Sequence, residues 1–254
     1  VGVSGADQLF TGNMAIVLNT TTIFTNTSST YSGGTYLNSN RLILGSTAVG
    51  AGTPGNVTSG RYGTGTFTLG SGTTSQAQLY FDQSITFLNA IVVNSAAGYV
   101  GGELGAFRIA NGAPTFAGAI NANLADATFN AVSGSQSASV TGAISGNSGV
   151  HIMTQGGILN VTLNSTANAN TYAGNTTING TSSTLTLGAS DQIPNGVGKG
   201  NLINNGNFTM GGFSETINGL EGNGTIDGNG ATLTVGDNDA TSTFSGVIKN
   251  TAGS

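Results

Sequence analysis

Few residues in this chain carry the chemistry that enzymes use. His151 is the single histidine, cysteine is absent, and ten acids stand against five lysines and arginines in 254 residues. A serine-type triad or a histidine metal cluster needs partners for the imidazole, and Val150-His151-Ile152-Met153 supplies none, so His151 reads as a residue on the wet face of a short strand. Asp237-Asn238-Asp239 could offer oxygen ligands to calcium. It lacks the distal glutamate of an EF-hand loop, and Gly224-Thr225-Ile226-Asp227 lacks the spacing of calcium-binding β-rolls, so both read as turns held by Asx hydrogen bonds. Three acids remain of interest: Asp82, Glu103 and Asp126. Carboxylates paired at about 5 to 9.5 Å on one face hydrolyse glycosidic bonds, which makes these three the candidate site of a β-helical carbohydrate-active enzyme or carbohydrate-binding module. No basic set accompanies them. The preferred reading is non-catalytic, with no cofactor and no metal.

The elements that must position these residues follow from composition. Charged residues make up 6% and glycine fills 43 positions, which removes most of the strong helix formers and predicts an all-β chain. At 37% hydrophobic, with well-spaced Val, Ile, Leu and Phe, the chain is expected to fold, unlike disordered Gly/Ser-rich segments. The net charge of −5 and the lack of a basic stripe argue against nucleic acid as a partner. No apolar run approaches the length of a membrane helix, and the first residues lack the pattern of a signal peptide, so an exported chain is expected here as an internal piece or processed form. Nine Asn-x-Ser/Thr sequons match what chance gives in a chain this rich in Asn and Thr.

The chain repeats itself. At a shift of 141 residues, Val17-Leu18-Asn19 falls on Ile158-Leu159-Asn160 and Tyr31-Ser32-Gly33 on Tyr172-Ala173-Gly174. Gly65-Thr66-Phe67-Thr68-Leu69-Gly70 meets Gly206 through Gly211 at the same shift, Leu88-Asn89-Ala90-Ile91 answers Ile217-Asn218-Gly219-Leu220, and Thr115-Phe116 answers Thr243-Phe244. The markers of the repeat are Tyr31, Gly33, Gly45 and Phe116 in one copy and Tyr172, Gly174, Gly188 and Phe244 after it. Units run over 1–115 and 116–243, a third opens at 244–254, and segments 71–84 and 121–141 have no counterpart, the latter reading as an added coil. Runs such as Thr184-Leu185-Thr186-Leu187 alternate with period two, the pattern of strands with one buried and one wet face. Short strands cornered by Gly-Asn and Asn-Gly pairs suit either a β-helix or an array of β-sandwich domains. Tolerance of inserted segments and the lack of tryptophan favour one continuous, elongated parallel β-helix over residues 1–254. Asn204, Asn205 and Asn218 are expected to stack as amide ladders, and Phe67, Phe87, Phe208 and Phe244 to point inward.

Asn170-Thr171-Tyr172-Ala173-Gly174-Asn175-Thr176-Thr177-Ile178-Asn179 followed by Leu185-Thr186-Leu187-Gly188 resembles the autotransporter-associated β-strand repeat. Gly157 through Leu163 and Ser242 through Ile248 resemble that family's flanking segments, and the first copy departs from the pattern at Tyr36-Leu37 and Ser39-Asn40-Arg41. The resemblance implies the right-handed β-helical passenger region of a bacterial surface or extracellular protein, anchored at the outer membrane or released, in which repeats serve secretion and stalk building. The expected partners are a second copy, a host or environmental surface, or carbohydrate.

Overall fold

The computed structural model describes residues 9–19, 28–44, 50–95, 105–166 and 168–251, and these contain strands and turns but no helix. Every ladder among them is parallel except one hairpin, Gly50–Thr53 against Asn56–Gly60. The antiparallel pairing that a set of sandwich domains requires is confined to that excursion.

Two curled sheets account for most strands. In the first, Ile16–Leu18, Thr35–Leu37, Phe67–Leu69, Ile91–Val93, Ile120–Ala122 and Ile144–Ser145 lie side by side in chain order. The second, of fourteen strands with its branches, has two wings. One wing runs Asn40–Leu44, Ala77–Phe81, Phe107–Ile109, Ala127–Ala131, Val150–Thr154. The other runs Thr86–Phe87, Thr115–Phe116, Ser135–Val140, Ile158–Leu163. The twelve-residue strand Thr176–Leu187 joins them, its residues 176–179 pairing with Val150–Thr154 and 183–187 with Ile158–Leu163. Leu202–Thr209 repeats that bridge one level on. Parallel partners are separated by as few as 18 positions, Leu202 and Leu220, and as many as 37, Asn40 and Ala77, where the hairpin intervenes. The levels therefore absorb insertions without losing register.

Alternation along each strand fixes which residues enter the core. Phe67, Leu69, Ile91, Val93 and Ile120 of the first sheet are buried while Thr68 and Val92 between them are half-exposed. Because partners are in register, the inward positions stack into rows such as Ala138, Val161, Leu185, Phe208 and Ile226, with Ile248 continuing the register at an exposed position. Each fully buried Leu or Phe of such a row contributes about 1.5–3 kcal/mol relative to an exposed one. Phenylalanines cluster within the interior: Phe116 lies 4.8 Å from Phe81, 4.9 Å from Phe107 and 5.2 Å from Phe129, with the edge-to-face or tilted contacts that aromatic quadrupoles favour. Phe67, Phe87 and Phe208 are fully buried as expected, and Phe244 is half-buried at the margin of the core. The unmatched segments lie within the ladders: 71–84 contributes Ala77–Phe81, and 121–141 contributes Ala127–Ala131 and Ser135–Val140.

Candidate functional site

Of the three candidate carboxylates, the two within the described residues, Asp82 and Asp126, do not converge. Asp82 is exposed just after Ala77–Phe81, and Asp126 is exposed just before Ala127–Ala131. Leu79 pairs with Phe107 and Phe107 with Phe129, so Asp126 is level with Gln76, six residues along the strand from Asp82. At about 3.3 Å per residue that is roughly 20 Å, beyond the spacing of glycosidase carboxylates. Glu103 lies outside the described residues. Asp126 instead accepts the Gly149 amide at 2.7 Å, fixing the entry to the next level.

His151 sits beside Thr128 and Thr177 on the outward side of the sheet, half-buried, with its Nε2 sealed from solvent and without a hydrogen-bond partner. Burial lowers its pKa from the ordinary imidazole value, and the charge of Asp126 opposes that shift in part. Asp237-Asn238-Asp239 forms the expected Asx turn, Asn238 Oδ1 accepting the Ala240 amide at 3.1 Å.

The repeat markers share one local chemistry. Tyr31 and Tyr172 are buried, and each phenol hydrogen-bonds the threonine four residues on, Thr35 at 2.5 Å and Thr176 at 2.6 Å. Burial raises both phenol pKa values, that of Tyr31 to about 12. Gly33 and Gly174 follow two residues later because a Cβ there would lie 2.6 Å from Met14 O or 2.5 Å from Gly149 N. Gly188 abuts the Asn164 side chain in the same manner, and Gly45 lies outside the described residues. Asn89 and Asn218 each close a corner, donating to the carbonyls of Gly63 and Gly65 and of Gly196 and Lys199. The expected amide ladder of Asn204, Asn205 and Asn218 is therefore corrected: Asn204 reaches Thr225 O, Asn205 takes the Asn223 amide, and Asn218 holds a loop. Free backbone groups at each corner take these amides in preference to side-chain stacking.

The matched copies nevertheless enter different sheets. Thr35–Leu37 pairs within the first sheet, whereas its match at 176–178 pairs with Val150 and Leu202 of the second. Asn40–Leu44 lies in one wing, and its match at 183–187 in the other.

Two features escaped the sequence reading. Arg41 and Arg108 each place a guanidinium carbon 4.7 Å from the Tyr80 ring centroid on the outward side of the second sheet. Inside the molecule, a polar column replaces the apolar row beside the first sheet. Asn170 takes the Ile144 amide at 2.8 Å and donates to Gln192 O at 2.8 Å, Gln192 binds Ser165 through both side-chain ends, and Glu215 accepts the amides of Gln192 at 2.8 Å and Ile193 at 3.3 Å. Glu215 is 1% exposed, and burial pushes its carboxyl up to about 7 against the pull of those amides. The signal was its alternation with Ile217, which puts both on the inner face. Searches with family models, against curated proteins and against solved structures each found no match.

Proposed function

We propose that the chain is a non-catalytic structural segment, a right-handed parallel β-solenoid that serves as a stalk or fibre in a bacterial cell-surface or extracellular protein of the autotransporter-passenger kind. The observation that carries this reading is the unbroken, in-register row from Ala138 through Ile248, each level stacked on the one before. Such a ladder is mechanical, since every level contacts only its neighbours and length is added without a closed core. The exposed acids are spread along it rather than gathered. Self-association rests on Val247–Lys249, which is exposed and pairs, among the described residues, on one side with Thr225–Asp227. A cavity of about 400 Å³ lined by Met210, Ile226, Leu233, Val235 and Ile248 adjoins it, and a strand with apolar flanks is a template for another strand, whether from this chain or from a second copy. Adhesion to a surface or to carbohydrate is the accompanying role of such a stalk.

Excision of one level tests the proposal. Ile120 is paired with Ile144, so deleting residues 121–144 removes a full level and rejoins equivalent positions. A solenoid spacer keeps its far-UV circular dichroism and cooperative unfolding after that deletion and loses both when 121–132 alone is removed. Equal damage from the two deletions overturns the reading.

A further inference from the structure

We infer that Glu215 is a proton-controlled latch between levels: its neutral carboxyl lets residues 190–193 pack against Glu215–Ile217, and its ionisation loosens that contact. The geometry is specific. The carboxyl is buried at the start of Glu215–Ile217 and bridges to the preceding level through the amides of Gln192 and Ile193. Those amides belong to the column that runs from Ile144 through Asn170, Gln192 and Ser165, so one charge bears on four levels of chain.

Among the described residues nothing cationic balances it. The titratable groups that act on Glu215 or respond to it are Asp191, on the segment it grips, whose charge repels the carboxylate, and Tyr172, whose phenol is buried. On the following level Glu215 pairs with Leu233, and Leu233–Val235 brings no ionisable side chain. Three amides, those of Gln192, Ile193 and Thr216, favour the anion, but removal from water without a counter-charge outweighs them, because a charge in a low-dielectric interior needs a partner.

The sign follows from proton counting. With a folded-state pKa pushed to about 7 from 4.5, the native chain holds a proton that the unfolded chain releases between those values, so stability falls as pH rises through that window. Fully expressed, the shift loosens the latch by roughly two orders of magnitude in its opening equilibrium. This inference stands apart from the stalk reading, since it concerns one contact whatever the chain does.

The test is hydrogen exchange of the Ile193 and Glu215 to Ile217 amides in the whole chain at pH 5 and pH 8, corrected for intrinsic exchange, with an NMR titration of the Glu215 carboxyl carbon. Opening is expected to rise roughly a hundred-fold toward pH 8 and to lose that dependence in Glu215→Gln, with a carboxyl midpoint near neutrality. A midpoint in the ordinary carboxylate range, or the same pH dependence in Glu215→Gln, overturns it. If the variant fails to fold, the titration of the native chain decides alone.

Discussion

Replacing Tyr172 by phenylalanine is expected to cost more stability than the same change at Tyr31, although both tyrosines make the same bond to a threonine four residues on. The difference lies in what each threonine has left. Thr35 Oγ1 also donates to Tyr62 O at 3.1 Å, so Tyr31 is the donor in its pair and Thr35 keeps an acceptor when the phenol is removed. Thr176 is 1% exposed, and among the described residues its hydroxyl bonds Tyr172 alone. Tyr31→Phe therefore removes one neutral hydrogen bond, about 0.5–1.5 kcal/mol, whereas Tyr172→Phe also strands a buried hydroxyl, for a total of about 1–3 kcal/mol.

The double variant Tyr172→Phe/Thr176→Val sharpens the test. Removing both partners with little change of shape is close to neutral, so it is expected to recover most of the loss, a coupling of about 1 kcal/mol or more. Urea unfolding followed by circular dichroism reads the native chain, the two tyrosine variants, the double variant and Thr176→Val, which closes the cycle. Equal costs at the two tyrosines, or a double variant as unstable as Tyr172→Phe, refutes the account of the corner.

Further outcomes follow from the same contacts. Gly174→Ala is expected to unfold the chain at lower temperature by a wide margin, because the new Cβ meets backbone at 2.5 Å, while Gly180→Ala, with a φ of 88° but open space around it, carries only the left-handed strain of about 1 kcal/mol; thermal melts separate them. Phe116→Ala, at the centre of three ring contacts, is expected to cost about 3–5 kcal/mol and Phe244→Ala less than half of that, read by urea midpoints. His151 works opposite to Glu215 in pH: its folded pKa is lowered, the unfolded chain binds the extra proton, and stability is lost as pH falls below the ordinary histidine value. His151→Gln is expected to flatten that acid-side loss, checked by urea midpoints from pH 7 to pH 5.

Much of the architecture was legible because alternation is a local property. Thr184-Leu185-Thr186-Leu187 puts its leucines inside whichever strand accepts it, and the structure does so. The hairpin of Gly50–Thr53 and Asn56–Gly60 was not legible, since Gly-rich alternation is weak and nothing in it distinguishes an excursion from another rung. Glu215 was visible in principle, in phase with Ile217, but a carboxylate beside threonine reads as surface until its two amide partners, more than twenty residues away, are known. The separation of Asp82 and Asp126 likewise depends on register, which no local pattern fixes.

The repeat itself needs a different physical reading from the one its spacing suggests. If the 141-residue shift marked a whole number of turns, Thr35 and Thr176 would share a sheet, and they do not. What recurs is a corner: a buried phenol tied to a threonine, and a glycine two residues on that lets the neighbouring backbone approach within Cβ distance. Every junction between sheets poses the same demands, a sharp change of direction, a filled interior angle and no stray backbone group. A motif that meets them at one junction meets them at any other, so a corner can be copied without regard to which sheet follows. The asparagine pair behaves alike, Asn89 leading into Ile91–Val93 of the first sheet and Asn218 into Leu220–Glu221 of the second. Selection for such a motif acts on the turn and not on the period, which is why lengths between copies drift while the residues at the corner hold their geometry.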